Sequence, residues 1–112
     1  MERIFYAAET VRTGTEISRA VLAYAETLAR HSTSATVDIP IRREDGTDSR
    51  ANILLGPASQ LIAEKYEADE EEIIDEALVE KIRDNMSRLE GGPAQPLDLG
   101  DPEDLNIYED LS

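Results

Sequence analysis

The residues best suited to bind a ligand are three arginines near the middle of the chain. Arg42, Arg43 and Arg50 flank the turn sequence "EDGT" and form the main cluster of basic residues. Guanidinium groups bind carboxylates and phosphates through paired N–H donors. Two interpretations stay open: the arginines pair with the acidic second helix or with the tail, or they bind a small anion together with a loop at Gly56-Pro57.

The candidates for catalysis are single residues that lack the partners catalysis needs. His31 is the only histidine, and it falls at the predicted C-terminal end of a helix, where the helix dipole stabilises a protonated imidazole. Ser59 lies in "GPAS", which lacks the Gly-x-Ser-x-Gly pattern of a nucleophile elbow. We therefore expect no catalytic residue, and an enzyme is the weaker hypothesis.

The densest group of carboxylates, "DEEEIIDE" at residues 69–76, raises the question of a bound cation. It has neither the alternating acids around a central glycine of a calcium loop nor a Glu-x-x-His pair. The chain contains no cysteine, which excludes disulfides and thiolate zinc sites. We expect neither a metal nor a cofactor and interpret the acids as the solvated start of a helix.

The net charge of −14 belongs mainly to the C-terminal half of the chain. Residues 1–63 carry 8 acids and 7 bases, residues 64–90 carry 11 acids and 4 bases, and residues 91–112 carry 6 acids and no base. This charge disfavours nucleic acid and anionic membrane surfaces as partners. The start "MERIFYAAETV" is unlike a signal peptide, and no run approaches the roughly 20 apolar residues of a membrane span. We expect a cytoplasmic protein.

The first two elements predicted are a strand and an amphipathic helix. The stretch "RIFYAA", Arg3 to Ala8, has a β-branched and aromatic centre before a polar break, which predicts a strand. Thr13 and Glu16 have the spacing of a capping box, so a helix is expected to start there. An apolar stripe at intervals of three and four residues follows, at Ile17, Ala20, Val21, Tyr24, Ala25 and Leu28.

An antiparallel hairpin is predicted on either side of "EDGT". The stretch "VDIPI" alternates apolar and polar residues, and Pro40 places it at a sheet edge or leaves one of its sides unpaired. A three-residue loop with Gly46 in the left-handed conformation pairs Ile39 with Ala51. This register keeps the apolar residues on one face, so we prefer it to a two-residue turn.

The stretch "ILLGPASQLI", residues 53–62, has two interpretations. In the first, Pro57 begins a short helix over residues 57–66. In the second, Gly56 to Ser59 form a four-residue loop of a hairpin that places Leu54 opposite Leu61. We favour the hairpin, because "ILL" is apolar on both faces, as in a strand that is covered on both sides.

A second amphipathic helix and an acidic tail complete the chain. Asp69 and Glu72 are a candidate cap pair for the helix, and "GGP" ends it near Gly91. We thus divide the chain into a compact domain, residues 1–90, and a disordered tail, residues 91–112. The tail alternates acids with apolar residues that are candidates to dock into a groove of a partner: Leu97, Leu99, Leu105, Ile107, Tyr108 and Leu111.

Together these elements predict an α+β domain of the order β-α-β-β-(β)-α, with a mostly antiparallel sheet and two helices on one face. The charge and the tail favour a small acidic protein that binds or regulates another protein with a basic surface, as an inhibitor, an antitoxin-like protein or an adaptor. The alternatives are an anion-binding domain or minor enzyme that uses the three arginines and the Gly56-Pro57 loop, and a homodimer formed through an edge strand.

Overall fold

The fold consists of one sheet of five antiparallel strands and two helices. It is taken from a computed structural model, which describes residues 1–6, 9–67 and 69–91. The predicted α+β class is confirmed. The elements in chain order are β1 (Glu2–Tyr6), β2 (Glu9–Thr13), α1 (Thr15–Arg30), β3 (Ala35–Arg42), β4 (Asp48–Leu55), β5 (Leu61–Lys65) and α2 (Glu76–Leu89).

The N-terminal region holds two strands where the sequence predicted one. β1 ends at Tyr6, which lies opposite Glu9 of β2 in an antiparallel pair. The predicted end at Ala8 falls outside the described residues. The stretch "ETVRT" stands where the sequence predicts a polar break, yet its threonines and valine have high strand propensity, and pairing with β1 and β3 makes it a strand.

The predicted capping box of α1 was wrong. Thr13 is fully buried as the last residue of β2, and its Oγ1 donates a hydrogen bond to the carbonyl oxygen of Pro40 at 2.7 Å. The N-cap of α1 is Gly14, which makes no side-chain cap. The stripe of α1 is confirmed, because its predicted residues are buried or pack against the core: Ile17, Ala20, Val21, Tyr24, Ala25 and Leu28.

The hairpin of β3 and β4 has the predicted register. Ile39 lies opposite Ala51, and Gly46 has φ of 90°. Pro40 is not on an edge strand, since β3 lies between β2 and β4. Its carbonyl points toward β2 and accepts from Thr13, while the registered pair of β2 and β3 is Arg12–Arg42. The side of Pro40 that lacks an N–H therefore faces the C-terminal end of β2, beyond the Arg12–Arg42 pair.

The Gly56-Pro57 stretch leads into a strand, as favoured, but not into the predicted hairpin. β5 pairs with β1, with Leu61 opposite Tyr6, and not with β4. The strand order β4-β3-β2-β1-β5 places β4 and β5 at opposite edges. The connection can be short because the sheet curls: Tyr6 Oη donates to the carbonyl oxygen of Leu54 at 2.6 Å, which brings the ends of β1 and β4 together.

The helix α2 begins later than predicted. Asp75 is its N-cap and accepts a hydrogen bond from the backbone N–H of Leu78 at 3.1 Å, so Asp69 and Glu72 are not the cap pair. α1 packs on the sheet and α2 packs on α1, where Val79 and Ile82 are buried. This arrangement leaves residues 66–75 to connect β5 with α2, a connection that we call the linker; it is described except for residue 68.

Candidate functional site

A row of three arginines crosses the outer face of the sheet, away from α1. Arg3 of β1 lies opposite Arg12 of β2, and Arg12 lies opposite Arg42 of β3. Like charges on directly opposed residues repel each other. The row therefore requires negatively charged partners. At its two ends, Glu64 lies opposite Arg3 and Asp48 lies opposite Arg42.

The linker supplies the partner at the centre of the row. Glu70 accepts from Nε and Nη2 of Arg12, each at 3.2 Å, and lies 3.5 Å from Nη1 of Arg42. The ring of Tyr66 packs against the guanidinium groups of Arg3 and Arg12, at 4.4 and 4.9 Å from its centroid. Arg12 is 5% exposed. A buried cation held by two hydrogen bonds and an aromatic face fixes the course of the linker.

A second acid fixes the linker against the start of α1. Glu72 accepts from the N-terminal ammonium of Met1 and from the backbone N–H of Thr15, both at 2.6 Å. The hydrogen bond from the ammonium, more than any other contact, holds the pKa of Glu72 below its ordinary value. A Cβ built on Gly14 would lie 1.8 Å from the carbonyl oxygen of Ile73. Glycine at this position therefore allows the linker to touch the turn between β2 and α1.

These contacts form a groove between the start of α1, the linker and α2, which we call the acidic groove. Its volume is about 430 Å³. The apolar lining is Ile73, Ile74 and Val79, and Ile74 is 72% exposed. The charged lining consists of Glu16, Glu72, Asp75, Glu76, Glu80 and Arg83. Arg83 lies 3.9 Å from Glu16, so the rim keeps a net negative charge.

The three predicted arginines lie on the β3–β4 hairpin, and each has its own partner. Arg42 pairs with Asp48 at 2.7 Å, Arg43 donates to Ser49 at 3.2 Å, and Arg50 pairs with Asp38 at 3.2 Å. Arg42 also lies 3.5 Å from Glu70, which belongs to the linker and not to α2, so the predicted pairing with the second helix or the tail stays a prediction. An anion site formed by all three stays a prediction.

The Gly56-Pro57 loop lies elsewhere. It borders a cavity of about 260 Å³ that is also lined by Leu22, Ala25, Glu26, Ala29, Ser59 and Leu61, a set that contains none of the three arginines. Ser59 stabilises the loop, because its Oγ accepts from the N–H of Gly56 at 2.9 Å and donates to the carbonyl of Leu54 at 3.1 Å.

His31 is the C-cap of α1, as predicted, and lies 3.6 Å from Glu90. Within the described ranges, no cluster of histidine, aspartate and glutamate side chains is arranged to hold a metal ion. The predicted docking residues of the tail, Leu97, Leu99, Leu105, Ile107, Tyr108 and Leu111, lie outside the described residues.

Four residues that shape the site were missed: Gly14, Arg12, Tyr66 and Glu70. A signal existed for Arg12 alone, since a hairpin with Tyr6 opposite Glu9 necessarily places Arg12 opposite Arg3. The contacts of Gly14, Tyr66 and Glu70 join segments that are far apart in the chain, and no local pattern indicates them.

Comparisons of the chain with protein-family models, with curated proteins and with solved structures find no match. Neither of the described helices combines the length and the apolar character that crossing a membrane requires. The groove geometry is therefore the basis for a functional proposal.

Proposed function

We propose that this protein binds another protein by receiving a basic amphipathic segment of that partner in the acidic groove. The observation that carries the proposal is Ile74, an isoleucine that is 72% exposed and lines a cavity bordered by carboxylates. Burying a side chain of this size contributes about 1.5–3 kcal/mol. An apolar anchor on the partner would gain this energy by covering Ile74.

The groove is preorganised for such a partner. Glu70 fixes the linker to Arg12, and Glu72 fixes it to the backbone N–H of Thr15. Asp75 caps the start of α2. Because these contacts lie within the chain itself, they limit the conformational entropy that the groove would lose on binding. The volume of about 430 Å³ suits a few anchoring side chains from one helical face rather than a large flat interface.

The charges define the class of partner. Five carboxylates and one arginine line the groove, and the whole chain carries −14. Lysines and arginines that flank the apolar anchors would meet these carboxylates at the rim and would be attracted over a longer range during encounter. An inhibitor, an antitoxin-like protein or an adaptor for a protein with a basic surface fits this description.

The proposal is tested with a synthetic amphipathic peptide that carries leucines at helical spacing and lysines on its other face. We expect the peptide to bind, and Ile74→Ser to weaken binding about tenfold or more, the effect of losing roughly 1.4 kcal/mol. Fluorescence anisotropy of the labelled peptide measures both affinities.

Ile62→Ser is the matched control, because Ile62 is 64% exposed but lies on β5, outside the groove. It should leave the affinity unchanged, and a peptide with glutamates in place of the lysines should not bind. Equal losses in the two serine variants, or equal binding of both peptides, would contradict the proposal.

A further inference from the structure

A second exposed apolar surface lies where the curl of the sheet brings the ends of β1 and β4 together. Leu54 of β4 and Ile62 of β5 are 55% and 64% exposed and, with Ile74, are the large apolar side chains that stay exposed in the described part of the chain. Leu54 and Ile62 border a cavity of about 410 Å³ together with Phe5 and the loop residues 58–60. We call this surface the uncharged patch, because no charged residue lines the cavity.

The uncharged patch is a formed surface. The hydrogen bond from Tyr6 to the carbonyl of Leu54 holds β4 beside β1 at 2.6 Å, and Ile62 lies opposite Phe5 in the ladder of β1 and β5. The same carbonyl accepts from Ser59 at 3.1 Å, which fixes the loop at the border of the patch. Residues from three strands are thus held together around an apolar hollow that has no cover among the described residues.

We propose that the C-terminal segment of the same chain covers the uncharged patch, with Leu105, Ile107, Tyr108 and Leu111 as the inserting side chains. The position at which the described chain ends supports this occupant. Glu90 contacts Arg30 and His31 at the C-terminal end of α1. The last turns of α1 share a cavity with Gly56 and Pro57, whose loop continues directly into the patch.

The length of the remaining chain is sufficient. Residues 92–104 separate the described part from Leu105 and reach about 40 Å when extended, at roughly 3.3 Å per residue. Since Glu90 lies at the end of α1 that borders the Gly56-Pro57 loop, the tail has to pass only this loop to arrive at the patch. A tethered segment also binds its own domain at a high effective concentration, so moderate contacts are enough.

Charge selects the uncharged patch over the acidic groove. The tail carries 6 acids and no base, so the carboxylates of the groove repel it, whereas the lining of the patch offers no repulsion. Apolar side chains spaced among acids can then enter the patch while the carboxylates stay in solvent. In this proposal the uncharged patch takes the acidic tail, and the acidic groove stays available for a basic partner.

Paramagnetic relaxation tests this proposal on the full chain. Because the protein has no cysteine, Ser112→Cys accepts a single nitroxide label next to the docking segment. We expect the methyl resonances of Ile62 and Leu54 to lose most of their intensity relative to the reduced label, and that of Ile74 to keep it. The further substitution Ile107→Asp should restore the lost intensity.

Three results would overturn the proposal. The first is no intensity loss at Ile62 and Leu54, and the second is a loss at Ile74 instead, which would place the tail in the groove. The third comes from a mixture of spin-labelled protein without isotopes and isotope-labelled protein without the spin label. If Ile62 loses as much intensity in this mixture as in protein that carries both labels, the contact joins two copies. Docking within one chain is supported if the intensity is lost when one molecule carries both the isotopes and the spin label, and is kept in the mixture.

Discussion

At the scale of single residues, Arg12 is the side chain on which the acidic groove depends most. Its guanidinium is buried, donates twice to Glu70 and packs under Tyr66. Removing one member of a buried ion pair is costly, and without Arg12 the carboxylate of Glu70 would lose both of these hydrogen bonds and keep only the contact with Arg42 at 3.5 Å. We expect Arg12→Ala to lower the free energy of unfolding by about 2–4 kcal/mol, measured by urea denaturation.

Arg50→Ala is the comparison for this prediction. Arg50 pairs with Asp38 at 3.2 Å, but both side chains are more than half exposed, so the loss should stay below about 1 kcal/mol. Equal losses for the two alanine variants would show that Arg12 does not anchor the linker.

Glu72 makes the stability depend on pH. Its pKa is lowered in the folded state, chiefly by the hydrogen bond from the N-terminal ammonium. A carboxyl with a lowered folded pKa stabilises the protein above its unfolded pKa, and this contribution disappears as the pH falls through the folded pKa. We expect Tm to fall as the pH drops below the ordinary value of 4.5, and to fall less in Glu72→Gln. Identical pH profiles of Tm in both proteins would refute this role.

The sequence predicted residue roles well where a pattern is local and poorly where a charge is buried. The stripe of α1, the left-handed Gly46 and the C-cap position of His31 follow from residues near one another in the chain. Arg12 was missed because the predicted first strand ends at Ala8 and the predicted first helix starts at Thr13. Arg12 therefore falls in neither predicted element. Burial of an arginine is rare, and the position of Arg12 opposite Arg3 follows only once the hairpin of β1 and β2 is recognised.

At the scale of elements, the contact between the linker and the turn after β2 positions the groove. Gly14 has φ of −66° and ψ of 152°, a conformation that alanine also adopts, so the effect of Gly14→Ala is steric: its Cβ meets Ile73. We expect a loss of about 1–3 kcal/mol in the free energy of unfolding. The lysine-rich peptide should also bind more weakly, since the displaced Ile73 lines the groove.

Gly46→Ala separates a loss of stability from a loss of peptide affinity. Gly46 has φ of 90° and open space around it, so alanine should cost about 1 kcal/mol through backbone strain alone. Peptide affinity should not change in this variant. An unchanged affinity in Gly14→Ala would mean that the groove does not depend on this contact.

Elements formed by neighbouring segments were predictable, and elements paired over long distances were not. The register of β3 and β4 follows from apolar alternation and a three-residue loop. The pairing of β5 with β1 joins residues about 60 positions apart, and it wins over the local hairpin because the curled sheet brings the end of β4 close to β1. The edge positions of β4 and β5 follow from this pairing, and a homodimer through either edge stays a prediction.

At the scale of the whole molecule, the two exposed apolar surfaces differ in charge, and for this reason we propose a different occupant for each. The carboxylates of the linker and α2 surround Ile74, while Leu54 and Ile62 lie in a cavity without charged lining. Composition alone gave the sign of the charge, and from it the class of partner that we propose. The location of the binding surface required the fold, because the groove joins α1, the linker and α2.

The most direct test of the proposed function is a titration of isotope-labelled protein with the lysine-rich amphipathic peptide, followed by methyl spectra. We expect saturable shifts of the methyl resonances of Ile74 and Val79, unchanged resonances of Ile62 and Leu54, and weaker binding as salt is raised. Saturable shifts at Ile62 and Leu54 with none at Ile74, or binding that does not respond to salt, would contradict the assignment of the acidic groove as the site for a basic partner.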